Sequence, residues 1–262
     1  MCTCVISIDP TARDPVLILF TRDEFLDRSW IGPGPHWAPR PYAIGGQDCE
    51  AGGTWVAITQ KEGCPRAAML LNAPGRPCGE PDRRSRGELP LLALSDEAPE
   101  PDSDELRAFD PFHLIVADMA GAQMMSWDGL RASTQPLGPG LHFATNYGLG
   151  SAEGEWVAPR VAHFGPRFQT QPRPAPAGAV TGTAQAWDGW FDLANGDLLE
   201  PTDSRALVVR QARSGRPWGT SSVSLIALGP NGLRYDFTTC PGGKHAWYQV
   251  RTNAEASASR AV

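Results

Sequence analysis

The sequence lacks long hydrophobic runs and the other marks of a membrane or exported protein. No apolar stretch in the 262 residues reaches the length of about 18–20 residues that a membrane-spanning helix needs. No charged segment precedes an apolar one near the start, so we expect neither a signal peptide nor stable membrane insertion. With its few cysteines, the chain is expected to be a cytoplasmic globular protein.

Cysteine and histidine are too few and too scattered for a disulfide scaffold or a zinc site. The chain has six cysteines, and its five histidines form no HxxxH or HxH pair. Structural zinc sites use CxxC pairs or histidines at characteristic spacing. We therefore expect reduced thiols, no bound metal and no required cofactor.

Lysine is nearly absent, and the net charge is −6. The negative charge argues against nucleic acid or an anionic membrane as a partner. The chain is long enough to bury one full core. We predict a single domain over residues 1–251 and a flexible tail over 252–262, while the oligomeric state stays open.

The most informative segment is the start, Met1-Cys2-Thr3-Cys4, which runs directly into an apolar stretch. A small second residue allows removal of the initiator methionine, which would give Cys2 a free α-amine. That amine, of pKa about 7.7–8.0, can act as a base beside a thiol of pKa about 8.5. Cys2 is therefore either an N-terminal nucleophile or a small buried hydrophobe at the start of a strand.

Short strand-like runs alternate with turn-rich stretches, which predicts a mixed α+β domain. Residues 2–8 with 15–21, and 112–117 with 123–127, predict two hairpins. A meander of three strands is predicted over residues 222–228, 233–238 and 245–251. Helices are predicted over residues 85–95 with Ser85 as N-cap, over 187–199, and over 203–212 with Asp203 or Ser204 as N-cap. The Pro-, Gly- and Ala-rich residues 169–184 predict a mobile linker or variable loop.

Three charged residues, Arg22, Asp23 and Glu24, directly follow the first hairpin's apolar run. In such a hairpin the end of the second strand lies beside the start of the first. An arginine beside Cys2 would lower the pKa of its thiol or hold a substrate carboxylate. Asp23 would then orient the α-amine. The alternative is a solvated strand end.

Seven short motifs recur in an order that resembles one protein family. They are Met1-Cys2-Thr3, Thr21-Arg22-Asp23-Glu24, Gly52-Gly53-Thr54-Trp55, Leu71-Asn72, Ser85-Arg86-Gly87-Glu88-Leu89, Thr145-Asn146 and Trp218-Gly219-Thr220-Ser221-Ser222. The series resembles the NRDE family, the transport and Golgi organisation group, named for an Asn-Arg-Asp-Glu motif. The resemblance extends to about residue 228.

The resemblance implies a fold and a set of site residues. The NRDE family is similar to N-terminal nucleophile (Ntn) hydrolases, which implies a four-layer αββα sandwich of mainly antiparallel sheets. The implied catalytic residues are Cys2, Arg22, Asp23, Asn72 and Asn146. The implied substrate-binding residues are Glu24, Gly53, Trp55, Thr220 and Ser221.

The asparagines and glycines of this set also have ordinary structural explanations. Under the resemblance, Asn72 and Asn146 build an oxyanion hole or hold the amine, and Glu24 competes with Asp23 for the carboxylate role. The asparagines could equally serve as turn residues. Gly53 could serve a tight turn, or allow a ligand to approach the backbone closely.

Two positions depart from the family pattern. Thr21 replaces the asparagine that opens the motif. Ser221 stands where the family has an arginine, and Arg216 and Arg234 are the candidates to substitute for it.

Two functions of different class follow. One is an Ntn-type hydrolase that cleaves an amide or thioester of a small acyl compound. The other is a ligand-binding or trafficking protein without efficient catalysis, with haem, acyl-coenzyme A or lipid as its cargo.

Overall fold

The protein is a mixed α and β structure in which antiparallel sheets dominate and helices are short. The computed structural model describes residues 2–79, 81, 83–95, 97–150, 158–239 and 246–251. The chain divides into two compact units, each built on one sheet. A single domain over residues 1–251 stays a prediction, and the predicted tail, 252–262, lies outside the described residues.

The strands come in three consecutive groups, over residues 3–72, 112–149 and 210–249, which the α-helices separate. The strands are β1 (Thr3–Ile8), β2 (Val16–Phe25), β3 (Trp30–Gly34), β4 (Ile44–Asp48), β5 (Val56–Thr59), β6 (Arg66–Asn72), β7 (Phe112–Asp118), β8 (Gly121–Trp127), β9 (Ala132–Leu137), β10 (Gly140–Thr145), β11 (Gly148–Leu149), β12 (Arg210–Arg213), β13 (Arg216–Gly229), β14 (Gly232–Thr238) and β15 (Tyr248–Gln249). The α-helices are α1 (Leu89–Ala93), α2 (Ala158–Thr170), α3 (Thr183–Trp187) and α4 (Gly189–Ala194), and short 3₁₀ turns cover Lys61–Gly63, Arg86–Glu88 and Asp104–Ala108. Within the described ranges, no helix has the length and apolar character that crossing a membrane requires.

The first unit comprises Met1–Arg28 and Pro139–Val250. Its sheet has the order β11-β10-β1-β2-β13-β14-β15, with β12 paired to β13. The predicted first hairpin is confirmed: Thr3 pairs with Thr21, and Ile8 pairs with Val16. Because β1 also pairs with β10, it lies in the interior of the sheet, and the apolar run of residues 16–20 is fully buried.

Helices α2, α3 and α4 pack on one face of this sheet. α2 buries Arg160, Phe164 and Phe168, which are spaced four residues apart on one helix face. The two phenylalanines join Trp187 and Trp190 in the core. The helix predicted over residues 187–199 is shorter and interrupted, because Asp188 has a φ of 47° and separates α3 from α4.

The helix predicted over residues 203–212 is wrong. Asp203 does cap a local turn, since its Oδ1 accepts the Arg205 backbone N–H at 2.8 Å. The following segment instead becomes β12, whose Arg210 pairs with Gly219 on β13. Val209 is buried in a small cluster with Ala206 and Trp218, so packing against β13 outweighs the helical start signal.

The second unit contains Ser29–Gly138 and the seven-stranded sheet β3-β4-β5-β6-β7-β8-β9. The predicted hairpin of β7 and β8 is confirmed. Ser85 caps as predicted, since its Oγ accepts the Gly87 N–H at 3.2 Å. The helix after it is a 3₁₀ turn followed by the five residues of α1, so it ends before residue 95.

The loop between α2 and α3 is fastened to the first hairpin. Arg173 donates hydrogen bonds to the carbonyl oxygens of Ser7, Asp14 and Pro15 at 3.1, 2.9 and 2.8 Å. The backbone N–H of Ala177 donates to Asp14 Oδ2 at 2.7 Å. The Pro-, Gly- and Ala-rich segment therefore has defined anchor points on this unit.

Candidate active site

The sheet register of the first unit brings Cys2 beside Arg22 and Asn146. Thr3 is paired with Thr21 on one side and with Thr145 on the other. In an antiparallel pair, the residue before Thr3 lies opposite the residue that follows Thr3's partner on each side. Cys2 therefore lies opposite Arg22 on one side and opposite Asn146 on the other. This juxtaposition follows from the central position of β1 in the sheet.

Cys2 itself is half-buried and directly precedes β1. Its Sγ lies 4.0 Å from the backbone oxygen of Asp23. Burial raises the pKa of the Cys2 thiol, while the nearby positive charge of Arg22 opposes that rise. The thiol therefore needs a base to act as a nucleophile at neutral pH.

Arg22 and Asp23 lie inside β2 rather than at a solvated strand end, and both are buried. Arg22 Nη1 donates to Ser221 Oγ at 3.1 Å, and the Ser221 hydroxyl donates to the Arg22 backbone oxygen at 3.1 Å. The serine that stands in place of the family arginine thus holds Arg22.

A β-bulge at Ser221 sets the faces of this part of the sheet. Thr220 is paired with Asp23 and Ser222 with Arg22, so Ser221 is the extra residue. Thr220 Oγ1 donates to Asp23 Oδ1 at 2.7 Å and accepts the Val209 N–H at 2.9 Å. The bulge aligns Thr220 with the Asp23 carboxylate.

Side-chain alternation divides these residues between the two faces of the sheet. Cys2 and Arg22 are on one face, whereas Thr3, Thr21 and Asp23 are on the face that carries the helices. Thr21 Oγ1 accepts the Thr3 N–H at 3.2 Å. The replacement of the motif's asparagine by Thr21 thus keeps a hydrogen-bonding group on the backbone next to Cys2.

Arg160 belongs to this cluster, and sequence reasoning missed it. Its Nη1 donates to Thr3 Oγ1 at 2.6 Å and lies 3.6 Å from Asp23 Oδ2. An arginine four residues before Phe164 on the buried face of α2 is the signal that could have revealed it. The two arginines proposed as substitutes pair elsewhere, Arg216 with Asp27 and Arg234 with Asp236.

Asn146 follows β10 and has a buried Oδ1 that makes no hydrogen bond to the described residues. Neither Asn146 nor Asn72 is among the described residues with positive φ, so neither uses the left-handed conformation of a turn. The Tyr147 N–H in the turn is bound by Thr145 Oγ1 at 3.2 Å. Asn146 and Tyr147 are the two residues of the turn between β10 and β11, so Asn146 is also a turn residue.

The remaining predicted site residues are Glu24 in the first unit and Asn72, Gly53 and Trp55 in the second. Glu24 is in β2, and its Oε1 accepts the Phe25 backbone N–H at 2.8 Å. Asn72 is exposed at the end of β6 in the second unit.

Gly53 and Trp55 also belong to the second unit, and both are packed against that unit's own residues. Gly53 packs against the backbone of Gly87, and the Thr54 N–H donates to the Gly87 oxygen at 2.7 Å. Trp55 packs edge-to-face on Trp30 at 5.5 Å. The close approach that requires Gly53 is thus to another part of the chain.

Within the described residues, no group of three or more His, Cys, Asp or Glu side chains could hold a metal ion. Five cysteines are free there: Cys2, Cys4, Cys49, Cys64 and Cys78.

Two comparisons with known proteins bear on this site. Residues 1–173 match the family described as Transport and Golgi organisation 2. A search of curated proteins found none that matches the chain.

Proposed function

The chain belongs to the Transport and Golgi organisation 2 family, and from this premise we propose that it is an Ntn-type cysteine hydrolase. Its substrate is an amide or thioester of a small acyl compound, and its nucleophile is Cys2 after removal of Met1. The proposal includes the four-layer αββα arrangement of that hydrolase type. The observation that carries it is Cys2 at the end of a central strand, beside Arg22 and the strand end at Asn146.

Proton transfer begins the proposed reaction. Removal of Met1 gives Cys2 an α-amine with a pKa near neutrality, within reach of its own thiol. The amine takes the thiol proton, and the thiolate attacks the substrate carbonyl. Because burial raises the pKa of the Cys2 thiol, the surroundings alone do not deprotonate it, and the α-amine serves as the base.

The tetrahedral oxyanion then needs hydrogen-bond donors. The proposal assigns this role to the amide group of Asn146, at about 2.7–3.1 Å from the oxyanion. Collapse breaks the carbonyl bond to the leaving amine or thiol, which takes the proton from the α-ammonium. Water, deprotonated by the same amine, next cleaves the Cys2 acyl thioester and releases the acid.

The other site residues have supporting roles in this proposal. Arg22 stabilises negative charge beside Cys2, and Asp23 orients the amine. Ser221 and Thr220 hold those two side chains through the hydrogen bonds at the bulge. Glu24 is proposed to line the substrate pocket.

A second candidate is a carrier of haem or acyl-coenzyme A that keeps the fold without efficient turnover. The burial of the Cys2 thiol, which favours its protonated form, is the observation that favours this reading. A cysteine can also ligate haem iron. The two functions differ in whether an acyl group ever becomes bound to Cys2.

Turnover of a panel of acyl amides and acyl thioesters by purified protein tests the choice. We expect hydrolysis that Cys2→Ala abolishes and Cys2→Ser strongly reduces, while ligand binding survives in both variants. Cys49→Ser is the control, because it removes an exposed thiol of the second unit. Haem or acyl-coenzyme A binding without any turnover would support the carrier instead.

A further inference from the structure

Arg160 is a buried cation that the proposed reaction does not use. Its side chain is 6% exposed, and its Nε donates to the Ala206 oxygen at 2.8 Å. A buried guanidinium is costly unless it is paired and hydrogen-bonded. Its position on an otherwise apolar helix face therefore calls for an explanation.

The contacts of Arg160 lead to Cys2 by two routes. Thr3, whose hydroxyl accepts from Nη1 at 2.6 Å, is covalently joined to Cys2. Asp23, whose carboxylate lies 3.6 Å from the same nitrogen, contacts Cys2 Sγ through its backbone oxygen. One guanidinium thus touches both the chain neighbour and a sheet neighbour of the proposed nucleophile.

We propose that Arg160 is a positioning residue for Cys2, fixing Thr3 and Asp23 from the helix side of the sheet and offsetting the negative charge of Asp23. This inference rests on the proposed function of Cys2 as a nucleophile. It adds a residue of α2 to a site otherwise formed by strands.

The charges around Cys2 explain the expected effect. The charges nearest Cys2 are its α-amine and, from β2, Arg22 and Asp23, with the buried Cys4 thiol two residues along β1. Arg160 from α2 acts on this group through Asp23. The negative charge of Asp23 raises the pKa of the Cys2 thiol. Because Arg160 lies 3.6 Å from the Asp23 carboxylate, its loss strengthens the effect of that negative charge on the thiol, so less thiolate forms at neutral pH.

The test is the rate of Cys2 alkylation by iodoacetamide from pH 6 to pH 10, read by peptide mass spectrometry. In Arg160→Met we expect the pH at which Cys2 alkylation is half-maximal to rise by about half a unit. At pH 7 that shift makes the alkylation roughly threefold slower. Arg160→Lys, which keeps the charge, should recover most of the rate. Arg167→Met, on the same helix but paired with Asp197, should behave as the wild type.

An unchanged Cys2 midpoint in a folded Arg160→Met variant would overturn the proposal and leave a structural role. If that variant does not fold, Arg160→Gln is measured in its place, and failure of both to fold also overturns it. Because alkylation does not need turnover, this test is separate from that of the hydrolase. If the wild type hydrolyses no substrate but the pH midpoint of Cys2 alkylation still depends on Arg160, only the hydrolase proposal is rejected.

Discussion

At the scale of single residues, Gly53 is explained by the backbone that it touches. A Cβ at this position would overlap the backbone of Gly87. Two motifs that are more than thirty residues apart therefore meet through their glycines, and the Thr54 N–H bond to Gly87 fixes the contact.

Gly53→Ala tests this contact. We expect a loss of about 1–3 kcal/mol in the free energy of unfolding, because the backbones must separate to admit a methyl group. Urea denaturation measures it. Gly79→Ala, where a Cβ would meet nothing within 4 Å, is the control and should be nearly neutral. Equal effects in the two variants would refute the explanation.

The carboxyl pKa values of two aspartates in the β1–β2 loop are shifted in opposite directions. Asp14 is buried, and burial raises the pKa of its carboxyl above the ordinary 3.8. Hydrogen bonds from Thr11 lower the pKa of Asp9. The native protein thus favours the protonated form of Asp14 and the ionised form of Asp9.

The two aspartates should give opposite pH dependences. A raised native pKa stabilises the fold at low pH, and this stability is lost as pH rises through it. Relative to Asp14→Asn, the wild type should therefore lose stability as pH rises from about 4. Relative to Asp9→Asn, it should lose stability as pH falls below about 4. Urea denaturation at several pH values measures both, and slopes of the same sign would contradict the assignment.

At the scale of elements, the bulge in β13 decides which side chains reach which face. The extra residue, Ser221, lets Thr220 lie opposite Asp23 while Ser222 lies opposite Arg22. A register step of one residue turns every side chain of a strand to the other face. The bulge thus keeps the side chains of both halves of β13 on the faces of the sheet that this site requires.

Deletion of Ser221 should therefore be far more damaging than Ser221→Ala. The deletion leaves Thr220 opposite Asp23 but removes the bend and extra twist that the bulge gives β13, so the buried side chains on both sides of it must shift, for which we expect about 3 kcal/mol or more. Ser221→Ala keeps the bulge and loses the hydroxyl bonded to Arg22, at about 1 kcal/mol. Thermal unfolding of both variants measures the difference, and a deletion no worse than the alanine variant would disprove the role of the bulge.

The elements that the sequence predicted well are those with local signals. The hairpin of β1 and β2 was predictable from two apolar runs and a turn-rich loop, and so was the position of Arg22 beside Cys2. The segment of residues 203–212 was not, because its capping signal is local while the pairing of β12 with β13 is not. Arg160 was missed for the same reason: its partners, Thr3 and Asp23, are more than 130 residues away in the chain.

At the scale of the whole molecule, the range that matches the family contains only part of the candidate site. Residues 1–173 include Cys2, Arg22, Asp23, Asn146 and Arg160. β13, which carries Thr220 and Ser221, lies beyond the matched range. The sheet that holds Cys2 is thus completed by a strand outside the match, where the chain also departs from the motif's arginine.

The central claim is that Cys2 is an N-terminal nucleophile, and intact-mass spectrometry tests it most directly. The purified protein is measured before and after exposure to an acyl thioester, and the modified peptide is then identified. We predict a chain without Met1 that gains one acyl group, on Cys2. A retained Met1, or an acyl group absent from Cys2, would contradict the account.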